Sequence, residues 1–163
     1  MKLLVMSDSH RNIDPMHYAA EQTNPDAIVH LGDHIGDAQK LRQRLPDTVF
    51  HMVAGNCDLY AGENELFLTL EGVKILVTHG HKYGVKSGLG ILLQRALSLE
   101  ADLVLYGHTH QASVRHERGL WLMCPGQMER HDKFHSASYG IAIIAGGSID
   151  CGIVALPVTA QNR

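Results

Sequence analysis

The chain has 163 residues, 45% of them apolar, with 14 basic against 17 acidic side chains for a formal charge of −3; that is material for one core and not comfortably two, so a single domain over residues 1–163 is expected. The opening stretch MKLLVMSDSH turns polar within a few positions and no apolar run reaches the roughly eighteen residues of a membrane span, so the chain reads as cytoplasmic with no membrane partner. No Lys/Arg block and no aromatic-basic platform marks a nucleic-acid binder, and three cysteines without a CxxC pair do not make a disulfide framework.

Leu3 to Met6 is an apolar run too short for a helix and reads as a buried strand ending at Ser7-Asp8. A helix is expected from about Ile13, with Met16 and Ala20 on its inner face and Pro15 in its first turn. Ala27 to Leu31 is the second strand, and Asp37 is a candidate cap for a second helix carrying Ala38, Leu41 and Leu45. Val49 to Val53 is a third strand, stopping at Gly55-Asn56, and Phe67 to Leu70 with Val73 to Val77 make a hairpin about Glu71-Gly72. Leu89, Leu92, Leu93, Ala96 and Leu97 predict one buried face of a helix over 89–99, after which Leu103 to Tyr106 returns to strand. Beyond residue 111 the pattern is all strand: 112–117 with 120–123, then 139–144 with 149–156, separated by a long polar loop over 125–138. A βα half followed by two hairpins predicts two packed sheets with helices outside.

Twelve histidines in such a chain pose the functional question, because imidazole is the commonest metal ligand among side chains. Five of them, of which His10, His79, His108 and His110 are the candidate ligands, recur with carboxylates and an amide where strands end: Asp8-Ser9-His10, Gly32-Asp33, Gly55-Asn56, Thr78-His79-Gly80-His81 and Gly107-His108-Thr109-His110. Each piece alone is ordinary. Five of them, 23 to 29 residues apart, can converge outside the carboxyl ends of the strands, where α/β sheets gather their ligands. Two carboxylates, one amide and four imidazoles are too many donors for one tetrahedral ion and suit two ions sharing a bridge. Their residual charge of about +2 attracts a phosphate.

The order D-x-H, GD, GN, H, GHTH resembles the calcineurin-like metallophosphoesterase superfamily, and the segments GNCD, THGH and YGHTH are similar to its small YfcE-type phosphodiesterases, which are related to the retromer subunit Vps29. The resemblance runs from Met1 to about Leu156. It implies an α/β fold, a four-layer αββα sandwich of two packed mixed sheets flanked by helices. It also implies a first ion held by Asp8, His10, Asp33 and His110 and a second by Asp33, Asn56, His79 and His108, with Asp33 bridging. Manganese is the first expectation for both ions, with nickel, iron, cobalt or zinc as alternatives that nitrogen and oxygen donors equally accept. The implied activity is hydrolysis of a small phosphate ester, a diester first, by in-line attack of a water or hydroxide bridging the ions.

In many superfamily members a histidine follows the Asn of GN and can protonate the leaving group, but here that position is Cys57. A thiol is poorly matched to that duty near neutral pH. Asn56, His108 and His81 are therefore the residues expected at the chemistry, His108 orienting the phosphoryl group and His81, or His34, standing in for the missing acid. Arg11 and Cys57 are expected against the substrate, and Asn12 is either a phosphate contact or a helix cap. PGQ at 125–127 stands where relatives often read PGS. His17, His30, His51 and His116 have no motif around them and read as surface or core histidines; His131 and His135 fall in the long loop. A metallo-β-lactamase reading fails, since neither H-x-H extends to HxHxDH. The alternative is a metal-binding scaffold of Vps29 type with weak or no turnover, and the C-terminal hairpins leave an edge strand open to a homo-oligomer.

Overall fold

The computed structural model describes residues 1–59, 62–129 and 136–157. In chain order its elements are β1 (Lys2–Met6), α1 (Ile13–Thr23), β2 (Ala27–His30), α2 (Ile35–Arg44), β3 (Val49–Met52), β4 (Glu65–Leu70), β5 (Val73–Thr78), a 3-10 turn (His81–Tyr83), α3 (Gly90–Ser98), β6 (Leu103–Tyr106), β7 (Ser113–Glu117), β8 (Leu120–Cys124), β9 (Ser138–Ala145) and β10 (Ser148–Ala155). One sheet runs β10-β9-β1-β2-β3 and the other β4-β5-β6-β8-β7. Both are mixed: β1, β2 and β3 are parallel, as are β5, β6 and β8, while β9, β10, β4 and β7 pair antiparallel at the flanks.

Alternation along β1 shows why four layers form. Leu3 and Val5 face the second sheet and pack with Val29, Ile75, Val77, Leu103 and Leu105. Leu4 and Met6 face the other way, against Met16, Ala19 and Ala20 of α1 and Ala38 and Leu41 of α2. On the far side, Leu76, Val104 and Leu122 pack against Leu92 and Ala96 of α3. Central strands are thus buried on both faces, which is why they read as unbroken apolar runs and not as alternating ones. No helix among the described residues is long and apolar enough to cross a membrane.

Three local expectations need correction. The N-cap of α2 is His34, and Asp37 lies in the first helical turn with its carboxylate turned inward. Leu97 is 44% exposed, because only Leu92 and Ala96 of α3 are fully buried against the sheet. The segment read as a long polar loop begins buried: Pro125 to Met128 are enclosed, with Met128 in the core beside α1, and its amide donates to the carbonyl of Ser7 at 3.1 Å, which ties the segment to the end of β1. His131 and His135 lie outside the described residues.

Candidate metal centre

Five strands, β1, β2 and β3 of one sheet and β5 and β6 of the other, deliver their carboxyl ends to one rim of the sandwich, and each is followed by one of the polar segments. Asp8 donates its amide to Gly32 O at 3.0 Å and Gly107 donates to His79 O at 3.1 Å, so neighbouring strand-end loops are laced to one another within each sheet. Close approach needs glycine here: a Cβ on Gly55 would overlap the Asp33 carboxylate, and one on Gly107 would overlap Ser7 Oγ and crowd Asp8 Oδ2.

The backbone is bent where the side chains must converge. Asp8, His10, Arg11, Asp33, His34, His108 and His110 all have positive φ, seven of the eleven such non-glycine residues described. Asp and His tolerate this region better than most, yet each still costs on the order of 1 kcal/mol, a concentration that marks a site and not a random scatter of turns.

Two ligand groups result. In the first, donor atoms of Asp8, His10 and His110 lie within 4.8 Å of one another; in the second, those of Asp33, His79 and His108 do. In the first group Asp8 is fully buried, its Oδ2 accepts from Ser7 Oγ at 2.5 Å and from the His108 amide at 3.2 Å, and its Oδ1 lies 3.1 Å from His110 Nε2 without hydrogen-bond geometry. Burial pushes the Asp8 carboxyl up, but the His110 imidazole, the charge of His79 and the Ser7 hydroxyl together bring it below the usual range. Asp8 in turn raises His110, against desolvation. The His10 ring is 5.8 Å from that of His110 and 5.1 Å from that of His34, and its Nδ1 is 3.9 Å from Glu129 Oε2.

In the second group, His79 Nδ1 donates to Leu31 O at 2.8 Å, which turns Nε2 toward the site. That atom faces three more: Asn56 Oδ1 at 3.1 Å, His108 Nδ1 at 3.2 Å and Asp33 Oδ1 at 3.5 Å. Asn56 Oδ1 and Asp33 Oδ1 can only accept, so Nε2 meets them either as the N–H of an imidazolium or, in the neutral ring, through a cation shared by the four atoms. Burial, then the charges of Lys86 and His79, hold His108 down at about 4, in the neutral form that can ligate. Nitrogen and oxygen ligand atoms drawn together in two groups, and a buried Asp8 carboxylate oxygen without a hydrogen bond among the described residues, fit divalent metal ions.

The other predicted residues fall around this rim. Asn56 joins the second group, and Asp33 gathers with the second group and not with the first. The His81 ring lies tilted 5.3 Å from that of His79 and edge-on 6.2 Å from that of His108, with Nδ1 buried and lacking a hydrogen-bond partner among the described residues; burial, then His79 and Lys82, lower its pKa. Cys57 is exposed; its amide donates to Asp33 Oδ1 at 2.9 Å, and desolvation with the Asp33 carboxylate pushes its thiol up to about 11. Arg11 and His34 line a neighbouring groove, and Asn12 occupies the N-cap of α1 without a side-chain cap bond.

Sequence reasoning missed the layer beneath. His30 is fully buried, accepts from the Gly32 amide at 3.3 Å, and is pushed down to about 4 by burial despite the carboxylates of Asp8, Asp58 and Asp37. Its neutral Nε2 donates to Ser9 Oγ at 3.3 Å, which donates to Asp37 Oδ2 at 2.8 Å; the same oxygen accepts the Arg11 amide at 2.7 Å. This chain clamps the loop carrying Asp8 and His10. Asp37, four residues beyond Asp33 in an apolar helix face, was the one signal available.

The family model for the calcineurin-like phosphoesterase superfamily domain matches residues 1–146. A probable metallophosphoesterase, YsnB of Bacillus subtilis, is 36% identical over 143 residues, 86% of this chain and 83% of that protein. The phosphodiesterase YfcE of Escherichia coli is 26% identical over 166 positions, with 86% of each chain covered. The crystal structure of Vps29 from Entamoeba histolytica complexed with zinc superposes with a TM-score of 0.76 at 19% identity, over 95% of this chain and 99% of that one, a likeness of fold. By sequence and by architecture the chain belongs to the calcineurin-like phosphoesterase superfamily.

Proposed function

We propose that this chain is a metal-dependent phosphodiesterase that works with two divalent ions, the first held by Asp8, His10 and His110, the second by Asn56, His79 and His108, with Asp33 between them. The observation that carries this reading is the pair of ligand groups side by side at one sheet rim. The name of the Escherichia coli relative supports a diester over a monoester. Bound there, the ions supply Lewis-acid charge to the phosphoryl oxygens and activate the attacking water.

The protein's own share is positioning. Leu31 fixes the tautomer of His79, and the glycines at 55 and 107 let Asp33 and Asp8 approach without a Cβ between them. His108 holds its ring between His79 and His81 at the mouth of the site, where it orients a phosphoryl oxygen. Arg11, exposed beside His34, meets the substrate anion. Because a thiol stands after Asn56, no strong proton donor serves the leaving group from that position, and aryl esters are turned over in preference to alkyl esters. The complete set of donors favours this enzyme over a scaffold of Vps29 type.

The test is hydrolysis of bis(p-nitrophenyl) phosphate by the purified protein before and after chelation, followed by a leaving-group series. Turnover that disappears with chelator, returns with manganese and falls steeply as leaving-group pKa rises supports the reading. Chelator-insensitive turnover, or no turnover with manganese, nickel, iron, cobalt or zinc, contradicts it.

A further inference from the structure

A groove of about 700 Å³ opens beside the second ligand group, with Thr109, the residue between His108 and His110, in its wall. Its opposite wall is the segment from Val85 into the start of α3, where the first helical amides have no side-chain cap. Two cations line it, Lys86 and Arg115, against one carboxylate, Glu117. Neither cation is in a salt bridge among the described residues, whereas Arg44, Lys74 and Arg95 each pair with a carboxylate at 3.0 Å or less. Leu89 and Leu93 add an apolar wall to the groove.

Two exposed cations, unpaired among the described residues, in the wall of one concave site attract an anion, each contributing modestly because solvent screens it. We propose that this groove is a subsite for a second phosphate group on the substrate, held by Lys86 and Arg115, so that the substrate is a phosphodiester carrying a further phosphate on one arm, of the nucleotide class. The ring or chain that joins the two phosphates lies along Leu89 and Leu93. The inference rests on the phosphodiesterase reading for where the first phosphate sits.

The test measures binding to the full-length protein in manganese, by calorimetry, of thymidine 5′-monophosphate and thymidine 3′,5′-bisphosphate. The bisphosphate is expected to bind about tenfold tighter, an advantage that falls below about threefold in Lys86→Ala and in Arg115→Ala and shrinks with salt. Both side chains are exposed, so folding is not at stake, and Arg44→Ala, remote from the groove, keeps the full advantage. A ratio near one in the wild type, or a ratio unchanged in both groove variants, overturns the proposal. Hydrolysis of the aryl diester, measured in parallel, separates the two claims: no hydrolysis with the ratio intact contradicts the activity and supports the subsite, and hydrolysis with a ratio near one does the reverse.

Discussion

His79 donates its Nδ1 proton to the carbonyl oxygen of Leu31 across 2.8 Å, and this single bond decides what the rest of the ring can do. Leu31 lies just past the end of β2, so a backbone atom of one sheet sets the tautomer of a side chain from the other. Its Nε2 is thereby turned to Asn56 Oδ1, His108 Nδ1 and Asp33 Oδ1, and in the neutral ring its lone pair is placed to hold a metal ion with them.

Asn56 separates ligation from folding. It is exposed, and its amide oxygen meets only His79 Nε2. Asn56→Ala is expected to leave thermal stability in chelator within about 0.5 kcal/mol of wild type, as for other surface changes, yet to remove much of the stabilisation that added manganese gives. Differential scanning fluorimetry with and without metal reads both; an equal metal-induced shift in the two proteins contradicts the role of Asn56.

Gly55 and Gly107 seat the two carboxylates in the same way from the two sheets. Gly55→Ala drives a methyl into Asp33, and Gly107→Ala drives one into Ser7 and Asp8. Each is expected to destabilise by about 1–3 kcal/mol in urea titrations and to weaken metal binding at its own group alone. Loss confined to stability, with metal affinity intact, would show that the carboxylates move without consequence.

The clamp His30–Ser9–Asp37 is expected to matter for the first group only. Asp37 is buried and accepts from Ser9 and from the Arg11 amide, so Asp37→Ala strands two donors and costs about 2–4 kcal/mol. Ser9→Ala is milder and is expected to lower metal affinity at Asp8 and His10 while sparing the Asn56 group. Titration of each variant with manganese, followed by electron paramagnetic resonance, checks this; unchanged affinity at both groups contradicts the clamp.

Part of this site is legible in the amino-acid sequence alone. The strand-end placement of Asp8, Asp33, Asn56, His79 and His108 was legible because double-sided burial leaves short apolar runs whose ends are sharp. The clamp was not: Ser9 and Asp37 are 28 residues apart and meet only because β1 and β2 are neighbours. Glu129 near His10 was hidden for the same reason, since it depends on Met128 pairing with Ser7. Leu97 misled because helical spacing gives a face and not how much of that face the sheet covers.

Away from the site, Glu65 predicts a pH dependence. Its carboxylate accepts from Arg95 at 2.6 Å and from the Tyr83 hydroxyl. Burial raises its pKa, but Arg95 and Tyr83 outweigh that and hold it below 4.5. A folded-state pKa below the unfolded one gives stability that is fully present above pH 4.5 and is lost as pH falls through the folded value. The stability gap between wild type and Glu65→Gln is therefore expected to be constant near neutrality and to close below pH 4.5. A gap that widens on acidification contradicts the assignment.

The central claim is that two ions share this rim, and counting them tests it most directly. Native mass spectrometry of the manganese-loaded chain is expected to show about two ions in the wild type and about one in His79→Ala, the remaining ion at Asp8, His10 and His110. One ion in the wild type, or two in both proteins, contradicts the account.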